Sequence, residues 1–159
     1  MGDADDKYLC ILDTGANVHI INNKSLFSSG SLKSCGKVQI EGTSGVNERI
    51  STSGVLYGLG EAYYDEKCFI NVLSEYLVQC NKNLKIEEVK DVIGNKIGVD
   101  VCVMNVEVVI NFRYVNGILI GSLRDYYCKV VKRSEKIDIA SMGESNECKN
   151  KVGVTLSLN

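Results

Sequence analysis

A carboxylate at the end of an apolar run is the group in this chain best placed to do chemistry. The run 9–12 ends in Asp13, and Thr14, Gly15 and Ala16 follow directly. An apolar run of this length predicts a buried strand, and the glycine lets the chain reverse immediately after it. The pattern therefore predicts a carboxylate presented at the end of a sheet. Two such carboxylates that share one proton can activate a water molecule.

The residues around this motif resemble one family. Residues 8–27, YLCILDTGANVHIINNKSLF, resemble the protease segment of Ty1/copia-type retrotransposon polyproteins. In that family an apolar strand leads to Asp-Ser/Thr-Gly-Ala, a histidine follows, and a polar stretch ends in Leu-Phe. Residues 71–77, NVLSEYL, resemble the family's Asn-hydrophobic-Leu-Ser segment, and residues 116–119, NGIL, more loosely resemble its Asn-Gly-Leu-Tyr stretch. The resemblance covers roughly residues 7–125.

The resemblance implies a mainly β, retropepsin-like acid-protease fold with one short helix near 72–80. It implies an aspartic endopeptidase that cleaves a Gag-Pol polyprotein in the cytoplasm, within virus-like particles. No metal or organic cofactor, nucleic acid or membrane is expected to take part. The alternative is a non-catalytic, domesticated retropepsin-fold dimer that binds peptides without cutting them.

The number of motifs predicts the oligomeric state. The chain holds one Asp-Thr-Gly, and no other aspartate is followed by Thr/Ser-Gly. A site with two carboxylates must therefore take Asp13 from each of two copies, which predicts a symmetric homodimer with its axis through the site. The alternative for Asp13 is a residue that only caps its own turn.

The neighbours of Asp13 have expected roles that come from the resemblance. Thr14, Gly15 and Ala16 form the active-site loop, and the Thr14 hydroxyl would bond across the dimer. Gly15 and Asn17 lie where family members bind the substrate backbone. Asn17 has an alternative role as a turn residue that bonds its own backbone.

A hairpin is expected about thirty residues after Asp13. Residues 38–41 and 49–53 alternate polar and apolar side chains around a glycine-containing tip, which is typical of a hairpin. Its tip, Thr43-Ser44-Gly45, is expected to bind substrate as the flap of a retropepsin-like enzyme. The alternative is an ordinary surface hairpin.

Leu73-Ser74-Glu75 occupies the place where retroviral proteases have a hydrophobic-Gly-Arg helix start. The sequence therefore does not indicate which residue supports the site from below.

His19 is the single histidine of the chain. We expect it to be solvated or to cap a backbone group.

The patterns divide the chain into four segments. These are a tag or flexible N-terminus (1–7), a protease core (8–84), a strand-rich C-terminal part of the same or an extended domain (85–132), and a polar linker with a possible terminal interface strand (133–159). The predicted elements are strands at 8–12, 18–21, 38–41, 49–53, 54–60, 67–71, 84–92, 99–109, 110–115, 118–123 and 152–158, and a helix at 72–80. Lys129–Arg133 is expected at a solvated strand end.

Composition excludes several classes of protein. A net charge of −2 and a pI near 5.5 argue against a dedicated nucleic-acid surface, which would be basic. No apolar run is long enough to span a membrane. The seven cysteines are odd in number and irregularly spaced, which favours reduced thiols over disulfides or a zinc site. Cys10 and Cys102 are expected to pack as small core residues.

Overall fold

The structure is a computed structural model that describes residues 7–42, 45–133 and 154–155. Within these residues the protein is mainly β, as the sequence predicts, and eleven strands form one sheet. The strands are β1 (Leu9–Asp13), β2 (Ile20–Ile21), β3 (Lys33–Gly42), β4 (Gly45–Leu56), β5 (Gly60–Tyr64), β6 (Asn71–Ser74), β7 (Leu84–Lys90), β8 (Lys96–Val103), β9 (Val108–Val115), β10 (Ile118–Ser122) and β11 (Val154–Thr155). The helices are α1 (Glu75–Cys80) and α2 (Arg124–Tyr126), and α2 continues as a π-helical segment over Tyr127–Val131.

Strand β1, which ends in Asp13, lies in the interior of the sheet. The strand order is β11-β3-β4-β5-β2-β6-β1-β10-β9-β8-β7. On one side β1 pairs in parallel with β6, where Asp13 is opposite Ser74. On the other side it pairs antiparallel with β10, where Leu12 is opposite Leu119. Pairing with strands on both sides fixes the direction of β1 and the position of Asp13 at the end of the strand.

Both faces of the sheet around β1 are covered by apolar side chains. Cys10 and Leu12 face the larger core cluster, which also contains Leu73, Phe112 and Tyr126. Ile11 faces the opposite way, into a second cluster. Because side chains alternate along a strand, Asp13 shares the face of Ile11. This second cluster comprises Ile11, Ala16, Val18, Ile20, Val38, Ile50, Tyr63, Ile70 and Val72.

The C-terminal strands belong to the same sheet as β1. Strands β7, β8, β9 and β10 form an antiparallel meander, and β10 joins it to β1. The helical segment 124–131 then packs back on the larger core, and the buried Tyr126 donates a hydrogen bond from its hydroxyl to the Tyr57 carbonyl at 2.7 Å. The basic residues at 129–133 therefore lie in a helical segment, and the prediction of a strand end there is wrong.

The prediction for 67–80 is wrong in its boundaries. Residues 67–70 are not a strand, and residues 72–74, predicted as the start of a helix, belong to strand β6 (Asn71–Ser74). Pairing on both sides, with β1 and β2, overrides the helical spacing of its apolar residues. The helix begins only after Ser74, and its buried residue is Val78, whereas Tyr76 and Cys80 are exposed.

Three other expected strands differ from the structure. The one at 54–60 is divided by a turn between β4 and β5, where Gly58 and Gly60 have φ of 74° and 101°. The one at 99–109 ends at Val103, and a turn precedes β9. In the terminal strand expected at 152–158, the described part is Val154–Thr155, which pairs in parallel with β3 of the same chain.

Candidate active site

The Asp13 carboxylate is held by its own turn. Asp13 is 6% exposed, and its Oδ1 accepts a hydrogen bond from the Gly15 N–H at 2.8 Å. The Ala16 N–H donates to the Asp13 carbonyl at 3.4 Å and closes the turn. The side chains of Thr14 and Asn17, in the same loop, are exposed. The loop therefore fixes one carboxylate oxygen and leaves two polar side chains accessible to a partner.

Ser74 supports this loop from below. It is fully buried, and its Oγ donates to the Ala16 carbonyl at 2.7 Å. The same oxygen accepts from the Leu77 N–H at 3.1 Å and so caps helix α1. One hydroxyl thus joins the Asp13 loop to the start of the helix. The sequence lacks a Gly-Arg pair at this position and does not indicate what supports the Asp13 loop. In the structure Ser74 provides that support.

His19 is buried, so the expectation of a solvated side chain is wrong. It is 1% exposed, and its Nδ1 accepts a hydrogen bond from the Ser74 N–H at 2.9 Å. The expected capping role is therefore the one it has, and the accepting Nδ1 places the proton of the neutral ring on Nε2. Burial lowers the pKa of His19 to about 4, against a smaller opposing effect of a hydrogen bond with the Leu59 backbone.

Asn71 fixes the start of the Asp13 strand. This fully buried side chain donates from Nδ2 to the carbonyls of Lys7 (3.0 Å) and Leu9 (2.9 Å). Its Oδ1 accepts from the Asn22 N–H at 2.8 Å. In the sequence Asn71 stands out only through the resemblance. A buried amide must find hydrogen-bond partners, and those of Asn71 lie too far away in the sequence for a local pattern to indicate them.

The hairpin β3–β4 packs on the face of the sheet that carries Asp13. Val38 and Ile50, paired in the middle of the hairpin, belong to the same apolar cluster as Ala16 and Val18. At the tip, Gly45 pairs with Gly42 as the first residue of β4. Thr43 and Ser44, two of the expected substrate-binding residues, lie outside the described residues. The structure therefore brings Asp13, Gly15, Ala16 and Asn17 into one loop and places the middle of the hairpin in the apolar cluster that includes Ala16.

A cleft of about 260 Å³ lies on the α1 side of His19, and Asp13 is not part of its wall. Its lining includes His19, Ala62 and Leu77. This cleft is therefore separate from the Asp13 carboxylate. A groove shared by two copies would not be a closed pocket in one chain.

The six cysteines in the described part of the chain are free thiols, and Cys148 lies outside that part. Burial raises the pKa of the Cys10 thiol far above its usual value, which keeps this core residue protonated and unreactive. The prediction of a core position for Cys102 is wrong. Cys102 lies half-buried on the opposite face of β8 from Val101 and Val103, and partial burial and the nearby Glu87 and Asp100 carboxylates raise its pKa.

The described residues form neither a metal site nor a helix that spans a membrane. No group of three or more His, Cys, Asp or Glu side chains there could hold a metal ion. No helix among them is long and apolar enough to cross a membrane. Comparisons of this chain with protein-family models, with curated proteins and with solved structures found no match.

Proposed function

We propose that this protein is an aspartic endopeptidase of the retropepsin kind, active as a homodimer to which each copy contributes Asp13. The observation that carries the proposal is the way Asp13 is held. Asp13 ends a buried interior strand, and the Ser74 hydroxyl connects its loop to the start of helix α1. A residue that only capped a surface turn would need neither the buried strand nor the anchor.

The chemistry follows from two Asp13 carboxyl groups that share one proton. The ionised group removes a proton from a water molecule, and the resulting hydroxide attacks the carbonyl carbon of the scissile peptide bond. The protonated group donates its proton to the carbonyl oxygen, which gives a neutral tetrahedral intermediate. Transfer of a proton to the amide nitrogen then lets the C–N bond break. The singly protonated pair is stabilised because two like charges at close range cannot both form easily.

The remaining parts of the loop have roles that suit this chemistry. The exposed Thr14 hydroxyl is available to bond to the second copy and so to hold the two loops together. Gly15, without a side chain, allows a substrate backbone to approach Asp13 closely. The β3–β4 hairpin, whose middle shares an apolar cluster with Ala16, is suited to close over a bound peptide as a flap.

The substrate class rests on the resemblance to Ty1/copia-type proteases. On that ground we propose that the substrate is the Gag-Pol polyprotein of a retrotransposon, cut within virus-like particles in the cytoplasm. We further propose the retropepsin form of the acid-protease fold for residues 8–84. The β1–β6 pairing followed directly by helix α1 supports this form.

The test is the substitution Asp13→Asn. Asparagine keeps an oxygen that can accept from the Gly15 N–H, so the turn should survive while the titratable group is lost. Cleavage of a peptide library should fall at least about a hundredfold. A matched control is Asp65→Asn, because Asp65 accepts from the Lys67 N–H at 3.0 Å in the same type of turn.

The two variants separate the two functions considered. Equal cleavage by the wild type and Asp13→Asn would exclude the proposed mechanism. Peptide binding by a dimer that shows no cleavage would favour the non-catalytic alternative.

A further inference from the structure

Two turns of the C-terminal meander lie at the same end of the sheet as Asp13. Strand β10 starts beside the end of β1, because Leu119 is opposite Leu12. The β9–β10 turn at 116–117 is therefore at the Asp13 end. Strand β8 starts beside the end of β9, where Gly98 is opposite Arg113. The β7–β8 turn at 91–95 is consequently at this end as well.

Apolar side chains are exposed at these turns. Val92 is 102% exposed and Ile93 is 78% exposed at the tip of the β7–β8 turn. Ile97 and Tyr114, in neighbouring positions on β8 and β9, are 39% and 40% exposed, and Val115 is 50% exposed. We call these five residues the ridge. Single exposed apolar residues are common on protein surfaces, whereas a group of five, two of them more than three-quarters exposed, is a candidate interaction site.

Hydrogen bonds within the β7–β8 turn hold the tip of the ridge in one conformation. The Asp91 carboxylate accepts from the backbone N–H groups of Ile93 (3.0 Å) and Asn95 (2.8 Å). The Asp91 N–H donates to the Asn95 carbonyl, and the Gly94 N–H donates to the Asp91 carbonyl. Binding therefore needs little further ordering of the turn that carries Val92 and Ile93, which favours affinity.

The charges beside the ridge balance one another in number. Lys96 pairs with Glu88 at 3.4 Å and lies over the Tyr114 ring, and Arg113 pairs with Asp100 at 2.9 Å. The exposed Lys90, opposite Lys96, is followed in the chain by Asp91. An anionic membrane surface would be bound by an excess of cations. Equal numbers of cations and carboxylates around an apolar group instead favour another protein surface as the occupant.

We propose that the ridge packs against a second copy of this chain and forms part of the dimer interface that completes the active site. This inference rests on the proposed function, in which two Asp13 residues must meet, so the second copy has to approach this end of the sheet. With strands about 4.8 Å apart, β9 to β7 lie roughly 10–19 Å from β1. That distance is within the reach of an interface of about 800 Å² on each partner.

The test compares two double variants. Val92→Ser with Ile93→Ser removes the tip of the ridge. Met104→Ser with Val106→Ser makes the same kind of change in exposed apolar residues of the β8–β9 turn, which lies at the opposite end of the sheet. Dimer dissociation is measured by sedimentation velocity over a dilution series, and thermal unfolding of each variant checks the fold.

The ridge variant should dissociate about a hundredfold more readily than the wild type, because two aliphatic side chains from each copy lose their contacts. The control variant should dissociate like the wild type. At concentrations that restore the dimer, the ridge variant should cleave peptides at the wild-type rate per dimer. Each Val92→Ser or Ile93→Ser single variant should show an intermediate effect.

Three results would overturn the inference: a wild-type protein that stays monomeric, equal dissociation of the wild type and the ridge variant, or equal weakening by both double variants. Failure of the proposed function is a separate result. Loss of dimerisation in the ridge variant, together with cleavage that does not depend on Asp13, would keep the interface and reject the aspartic protease. If cleavage depends on Asp13 but the ridge variant dissociates like the wild type, the aspartic protease is kept and the interface is rejected.

Discussion

Between pH 7.5 and pH 5, acid should destabilise this protein mainly through His19. Its ring is buried, and its Nδ1 accepts from the Ser74 N–H at 2.9 Å. A protonated ring would place a second donor against that N–H and would bury a charge. The pKa of His19 is therefore about 4 in the folded protein, lowered by burial from its usual value of 6.5.

The sign and size of the effect follow from proton linkage. Between pH 6.5 and 4 the unfolded chain binds a proton that the folded protein does not, so the free energy of unfolding falls as the pH falls. The contribution of His19 is complete above pH 6.5 and is lost progressively as the pH falls to about 4. A difference of about 2.5 pH units corresponds to about 3 kcal/mol in total, of which about 2 kcal/mol is lost between pH 7.5 and pH 5.

Two measurements check this prediction. Because the chain has one histidine, its imidazole proton resonance in an NMR titration reports the pKa of His19 in the folded protein directly. Urea unfolding at pH 7.5 and pH 5 measures the stability difference. The variant His19→Asn offers the Ser74 N–H an oxygen near the position of Nδ1 and cannot titrate.

His19→Asn should be less stable than the wild type at pH 7.5 by about 1–2 kcal/mol, because it leaves a small cavity. Between pH 7.5 and pH 5 it should lose about 2 kcal/mol less stability than the wild type. A wild-type resonance that titrates near pH 6.5 in folded protein would refute the reasoning. Equal pH dependence of unfolding in the two proteins would refute it independently.

The remaining predictions concern the supports of Asp13 and its titration. Ser74→Ala should lower the free energy of unfolding by about 1–2 kcal/mol in urea unfolding, since it removes the helix cap and the bond to Ala16; it should also slow peptide cleavage, and unchanged stability would contradict the role of Ser74. Asn71→Ala should cost about 3 kcal/mol in the same measurement, because three backbone groups lose a buried partner, and a loss below about 1 kcal/mol would exclude that role. The rate of peptide cleavage should depend on pH in a bell shape with an acidic optimum, as a pair of Asp13 carboxyl groups requires, and a rate that climbs steadily into alkaline pH would exclude the pair.

The elements that the sequence predicted well are those with strong local patterns. The apolar run before Asp13, the hairpin at 33–56 and the strand after Gly117 all appear close to their predicted positions. Each carries a local signal, either a continuous apolar run or alternation beside glycine. The boundaries of β6 and α1 were missed because the spacing of Leu73, Tyr76 and Leu77 suits a helix. Only the long-range pairing of Asn71–Ser74 with β1 and β2 shows that this segment is a strand.

The strand and turn that carry Asp13 were predicted, whereas the contacts that support this loop were missed. Asp13 is recognisable because a strand, a turn and a small residue lie next to one another in the sequence. Ser74, His19 and Asn71 act across about fifty to sixty positions of the chain, and no local pattern reports such contacts. Their residue types are also compatible with several roles. Only the folded structure shows that His19 is buried and accepts a hydrogen bond from Ser74.

Ser74 contacts both His19 and the Asp13 loop, so we expect the pH dependence of the two to be linked. The proposed pair of Asp13 groups needs a proton and so favours acid, whereas His19 must stay neutral to accept from the Ser74 N–H. Ser74 also donates to Ala16 in the Asp13 loop, so protonation of His19 disturbs the loop that holds the carboxylate. The basic limb of the rate profile should therefore belong to the Asp13 pair, and loss of loop structure should contribute to the acidic limb near pH 4. His19→Asn should extend activity to lower pH and leave the basic limb in place. A variant that shifts both limbs equally would show that His19 acts on the carboxylates themselves and not through the loop.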